Sequence, residues 1–127
     1  MALPRIKKRR DFLRAARTGK RAARPGLVLQ AQPVPPTGTG PSGAAAAPPL
    51  RVGFTATKKL GNAVVRNRTK RRLREAARLL LGPLLADAEP PSGWDLVLIG
   101  RDDTRRREFR TLVGDLRGAL KQTGVLR

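Results

Sequence analysis

The chain has 127 residues, with 28 Lys and Arg against 9 Asp and Glu, a formal net charge of +19. Such a balance makes a polyanion the expected partner, because each cation placed on a phosphate releases condensed counterions. Cysteine and histidine are both absent, which excludes a disulfide framework, a zinc knuckle, a thiol nucleophile and the side chain most used as a general base near neutral pH. The length allows one domain, residues 1–127, with a modest core. No apolar run approaches the ~20 residues of a membrane span. The opening MALPRIKKRRDF lacks the apolar segment of a signal peptide, so no membrane association is expected and the cytoplasm is the expected compartment.

In chain order, residues 5–18 read as a short basic helix with Phe12, Leu13 and Ala16 on one side, and Gly19 is placed to close it in the left-handed conformation. GLVLQAQ, residues 26–32, is a strand candidate. The following PVPPTGTGPSGAAAAPP, residues 33–49, has six prolines and three glycines and reads as a flexible insertion in a hairpin loop. LRVGFTAT, residues 50–57, alternates apolar and polar side chains as a strand with one buried face does. Asn62 is a candidate N-cap for a basic helix running to about Leu81 and stopping at Gly82-Pro83. WDLVLI, residues 94–99, is almost continuously apolar, as in an interior strand covered on both faces. A last helix spans residues 104–122 behind Asp103 or Thr104, with Phe109, Leu112, Val113, Leu116 and Leu120 at helical spacing. The order α, β, β, α, β, α predicts an α/β (α+β) two-layer sandwich of helices on a small mixed sheet. The step from residues 50–57 to 94–99 looks like a parallel crossover, right-handed by the general rule.

The charge is concentrated. Residues 1–24 carry ten basic residues and one acidic, and residues 58–78 carry nine and one. Arginine outnumbers lysine 21 to 7, which suits bidentate phosphate contacts, although GC-rich coding inflates arginine too. At 100° per residue, Val65, Thr69, Leu73, Ala76, Ala77, Leu80 and Leu81 fall in an arc of roughly 160°, the width of a core-facing stripe. Arg68, Lys70, Arg71, Arg72, Arg74 and Arg78 fill the opposite arc, and Arg66 sits near the stripe's edge, able to reach toward a cleft between helix and sheet.

Catalysis by the protein itself finds little support. Asp102-Asp103 with Glu108 is the single acidic cluster, and it reads as a helix N-terminus stabilised by acidic groups. No GxxxxGK[ST] or GxGxxG phosphate loop occurs, and no metal-ligating set is expected. Among the aromatics, Trp94 and Phe109 lie in core-like patterns. Phe12 and Phe54 adjoin the basic segments, where an aromatic among cations holds single-stranded nucleic acid; core burial of Phe54 is the competing assignment.

RVGFTATKKLGNAVVRNRTKRRLREAAR closely resembles the signature of the bacterial ribonuclease P protein family, a strand followed by KK.GNAV.RNR.KR..RE. The matching residues are Lys58, Lys59, Gly61, Asn62, Ala63, Val64, Arg66, Asn67, Arg68, Lys70, Arg71, Arg74 and Glu75. RDFLRAARTGKR resembles the family's first helix, and WDLVLIGR and the final helix sit where the family places its last strand and helix. The resemblance implies a left-handed crossover, in a fold shared with the second domain of a small-subunit ribosomal protein, in place of the right-handed expectation.

It also implies the protein subunit of a ribozyme. A catalytic RNA with magnesium held mainly by that RNA removes the 5′ leader of precursor tRNA, while the protein supplies no catalytic residue and requires no protein partner. By carry-over, Lys58, Lys59, Asn62, Arg66, Asn67, Arg68, Lys70, Arg71 and Arg74 would face the catalytic RNA. Phe12, Arg17, Phe54, Thr55 and Lys58 would line the cleft for the single-stranded leader. The family's second aromatic in the first helix is replaced by Ala16, and GLVLQAQ lacks the aromatic often found in the first strand. A structural RNA-binding protein of ribosomal type would share the charge and layering without the KKLGNAVVRNR spacing; a stand-alone nuclease would need carboxylates converging from several elements.

Overall fold

The computed structural model describes residues 3–35 and 48–126. Helix α1 spans Arg9–Thr18, followed by strands β1 (Lys20–Arg24), β2 (Leu27–Pro33) and β3 (Arg51–Thr55), helix α2 (Ala63–Leu85), strand β4 (Trp94–Gly100) and helix α3 (Phe109–Gln122). The four strands lie in the order β1-β2-β4-β3. β1 and β4 run antiparallel to β2, and β3 runs parallel to β4, so the sheet is mixed as expected.

β4 is one of the two interior strands, and its apolar run follows from cover on both faces. Leu96 and Leu98 join Leu27, Leu29, Val52 and Phe54 in the main core, under Leu73, Ala76, Ala77, Leu80 and Leu81 of α2 and Leu112, Leu116 and Leu120 of α3. Val97 and Ile99 turn to the other face and pack with Ile6, Phe12 and Ala15. The sheet and the α2–α3 layer form the expected sandwich, and α1 lies alone across the opposite face.

Several local expectations are corrected. Residues 4–6 are extended, not helical: Val52 N–H donates to Pro4 O (2.9 Å) and Ile6 N–H to Val52 O (3.0 Å), which covers the outer edge of β3. Asp11 and Ala15 are the buried side chains of α1, and Leu13 and Ala16 are exposed. Gly19 is extended (φ −70°, ψ 154°), not left-handed; a Cβ there would lie 2.5 Å from Ala15 O, so close backbone approach explains the glycine. β1 is an additional strand that the charge of KRAAR conceals. The segment 33–49 does not close a hairpin, because β4 lies between β2 and β3. Its described ends are tied by Val34 N–H to Gly93 O (2.8 Å) and Gly93 N–H to Pro48 O (2.7 Å); residues 36–47, on which the flexible insertion falls, lie outside the described residues.

α2 continues through Gly82 and Pro83 to Leu85. A proline removes one backbone donor and crowds the carbonyl four residues back, but here it sits in the final turn, where Leu84 and Leu85 pack on the core. α3 begins at Phe109 because a 3-10 turn, Asp102–Thr104, precedes it. Buried Thr104 holds that turn, accepting from Arg101 N–H (2.8 Å) and donating to Gly26 O (2.6 Å).

α2 comes close to β4 at Gly100, where a Cβ would collide with Thr69 Cγ2. Thr69 is buried and its hydroxyl donates to Val65 O (2.9 Å), so it has little room to yield. Gly100→Ala is expected to cost about 1–3 kcal/mol, the range of overpacked cores, read as a lowered urea midpoint. An unchanged midpoint would show that α2 shifts freely over the sheet.

Candidate nucleic-acid interface

After β3 the chain makes a 3-10 turn, Lys58–Leu60, then passes through Gly61 at φ 140°, a conformation that side chains rarely adopt. Asn62 follows as N-cap, its Oδ1 accepting from Val65 N–H at 3.0 Å. This cap satisfies one of the unpaired donors of the first turn. The helix so launched buries Thr69, Leu73, Ala76, Ala77, Leu80 and Leu81, six of the seven positions of the stripe predicted from periodicity, with Val65 half-buried.

Lys58, Lys59, Asn62, Asn67, Arg68, Arg71 and Arg74 are exposed, and Lys70 and Arg66 are half-buried. Arg66 Nε is buried without a hydrogen-bond partner, as its position at the stripe's edge suggests. Among the described residues, none of these cations has a carboxylate within 4.0 Å. Glu75, the single acidic residue of α2, accepts from Arg78 at 2.8 Å. That hydrogen bond, with the charges of Arg78 and Arg74, holds its carboxyl below the usual range.

Arg72 departs from the predicted cationic face. Its guanidinium donates to the backbone oxygens of Arg105 and Arg107 (2.6 Å each), pinning the segment between β4 and α3 to the helix.

The predicted leader cleft divides between the two faces of the sheet. Phe12 lies against β3 on the α1 side, its ring so close to Gly53 that a Cβ there would sit 2.5 Å from Cε1. Thr55, two residues on and therefore on the same face, is half-buried, and Lys58 follows in the exposed turn. Phe12, Thr55 and Lys58 thus border one surface, to which half-buried Ile99 adds apolar area over buried Val97. Phe54 turns to the α2 side and joins the main core, with Arg5 Cζ 4.8 Å from its ring centroid. Arg17 is exposed beside Arg10, Leu13 and Arg14, on the side of α1 away from buried Ala15. Ala16, one turn after Phe12, is also exposed.

Sequence reasoning passed over Arg51, which fixes α1 on this face. Arg51 donates from Nε and Nη2 to Asp95 (2.9 and 2.7 Å) and reaches Asp11 at 3.3 Å, one residue before Phe12. The one available signal was Gly53, since glycine inside a strand marks close approach of another element.

Comparison with known proteins agrees with this geometry. The family model described as Ribonuclease P matches residues 2–124. The ribonuclease P protein component of Gluconacetobacter diazotrophicus is 53% identical over 121 residues, covering 95% of this chain and 91% of the relative. That of Paramagnetospirillum magneticum is 47% identical over 124 residues, covering 98% and 85%. Among solved structures, the Staphylococcus aureus RNase P protein superposes with a TM-score of 0.67 at 26% identity, covering 97% of each chain. The Thermotoga maritima RNase P protein gives 0.66 at 26%, with the same coverage. With a mixed four-stranded sheet, a capped basic helix and relatives matched across nearly their whole length, the chain belongs to the ribonuclease P protein family and is the protein component of an endoribonuclease whose catalyst is RNA.

Proposed function

We propose that this subunit works by offering RNA two surfaces, back to back across one sheet. The catalytic RNA takes the α2 side through Lys58, Lys59, Asn62, Arg66, Asn67, Arg68, Lys70, Arg71 and Arg74. The single-stranded 5′ leader of precursor tRNA takes the α1 side, across Phe12, Thr55 and Lys58. The observation that carries this reading is the opposed placement of the unpaired cations of α2 and of Phe12, with Lys58 in the turn joining the two faces. In this reading Arg17, on the outer side of α1, and Phe54, in the main core, lie off the leader surface.

Joining precursor tRNA to a catalytic RNA brings two polyanions together, and a chain of +19 lowers their repulsion. Leader contact adds affinity for precursor over mature tRNA, which lets product leave. Magnesium stays on the RNA in this reading: a hard cation takes oxygen ligands, which the phosphates supply, and no group of three or more potential ligands converges among the described residues of this chain. The expected place of action is the cytoplasm, and no helix of the described residues is long and apolar enough to cross a membrane. No further protein is required.

The test is reconstitution. The full chain, added to a bacterial ribonuclease P RNA at low magnesium, is expected to restore removal of the precursor-tRNA leader; failure to restore it overturns the proposal. Phe12→Ala is expected to weaken precursor binding by about tenfold, the scale of one lost base–aromatic stack. Affinity for the catalytic RNA and for mature tRNA should stay within about twofold in that comparison. Equal losses in all three would refute the division of surfaces.

A further inference from the structure

On the α2 side, where the extended N-terminal segment borders β3, a groove of about 440 Å³ opens between that segment and the helix. Its volume lies in the range of small-ligand sites. Leu3 and Phe54 form the apolar floor, and Arg71 and Arg74 stand on the helical rim. Arg5 spans the two, its guanidinium carbon 4.8 Å from the Phe54 centroid. Its backbone is held by the flanking bonds from Val52 N–H to Pro4 O and from Ile6 N–H to Val52 O. Glu75, the carboxylate in the lining, is engaged by Arg78 and is felt by Arg74 through its charge alone, so among the described residues no carboxylate lies within 4.0 Å of Arg5, Arg71 or Arg74.

An apolar floor roofed by a planar cation, beside a pair of unneutralised guanidinium groups, fits a nucleotide better than a free anion or an acidic peptide. A base stacks on an arginine plane already backed by an aromatic ring, and the rim arginines donate to its phosphate. We infer that this groove receives one unpaired nucleotide of the catalytic RNA, its base against Arg5 over Phe54 and its phosphate on Arg71 and Arg74. The inference rests on the assignment of the α2 face to the catalytic RNA. The sheet separates the groove from Phe12, which argues against the leader as occupant.

The experiment compares full-length wild type, Arg5→Ala and Arg5→Lys. It measures affinity for the catalytic RNA over a salt series and probes that RNA chemically, nucleotide by nucleotide. Wild type is expected to shield an unpaired base that Arg5→Ala leaves reactive, with affinity about tenfold weaker, the scale of one lost stack. Arg5→Lys keeps the charge, so its salt dependence should match wild type while the base becomes reactive again. Arg5→Lys also controls for folding, because it retains the backbone pairing and the cation. A shielding pattern identical in all three proteins overturns the pocket alone. Loss of precursor-over-mature preference with unchanged affinity for the catalytic RNA also overturns it, by assigning the groove to the substrate. Absence of any wild-type binding to the catalytic RNA overturns both the pocket and the reading beneath it.

Discussion

Arg51→Ala lowers the unfolding free energy by about 3 kcal/mol, the lower end of the range for removing one partner of a buried ion pair. Asp95 is 1% exposed and Asp11 5% exposed, and one guanidinium serves both. Arg10 and Arg14 approach Asp11 only at 4.0 Å and are themselves exposed. Without Arg51, two carboxylates from different elements are left in low-dielectric surroundings facing each other. The lower end applies because the Arg51 side chain is 31% exposed, so water can enter the space it leaves. The measurement is urea unfolding, with a lower midpoint and an unchanged slope. Combining Arg51→Met with Asp95→Asn should recover part of the loss, since Asp11, with Arg10 and Arg14 still at 4.0 Å, is then the one carboxylate left without the guanidinium. A loss below about 1 kcal/mol would put the carboxylates in the class of solvated surface pairs. The hydrogen bond to Asp95, ahead of the opposing effect of burial, holds the guanidinium above its usual pKa. A group raised in the folded state stabilises fully below its unfolded pKa and loses that contribution as pH rises through the folded one, so only strong alkali releases this clamp.

The second large effect is on binding. Replacing Arg68, Arg71 and Arg74 together by alanine is expected to weaken affinity for the catalytic RNA by about a hundredfold near 0.15 M salt, and to flatten the slope of log K against log salt by about 2–3. All three are exposed and lack carboxylate partners among the described residues, so the urea midpoint should stay close to wild type. Arg72→Ala provides the opposite signature from the same basic run. Its guanidinium is committed to two backbone carbonyls, so its loss should lower the midpoint and leave the salt slope nearly unchanged. A salt slope that responds equally to Arg72 and to each of the three would mean that α2 meets RNA around more of its circumference.

The core stripe of α2 was legible because six buried positions obey one period, and Asn62 because a cap is a local device. Alternation likewise exposed β3, and the apolar run exposed β4. β1 was not legible: Ala22 is its one buried residue, and the strand is held by backbone pairing to β2 rather than by any pattern of its own. Nor does a local period reveal that β4 inserts between β2 and β3, since that pairing is non-local. The separation of Phe12 from Phe54 was half visible. Alternation puts Gly53 and Phe54 on opposite faces, but which face α1 covers depends on the distant acceptors Asp95 and Asp11 converging on Arg51. Arg72 was misassigned because helical angle alone cannot distinguish a cation facing solvent from one facing the backbone carbonyls of a neighbouring loop.

The double tether of Val34 and Pro48 to Gly93 makes the span between them a natural splice point. Its two ends are fixed beside the start of β4, whereas the Lys58 turn and the first turn of α2 lie toward the other end of that strand, where Gly100 meets Thr69. Doubling the length of such a connection adds only about 0.6 kcal/mol of closure entropy. A fluorophore-bearing peptide or affinity handle inserted between residues 36 and 47 would therefore let the assembled ribonucleoprotein be tethered or observed with both RNA surfaces left free.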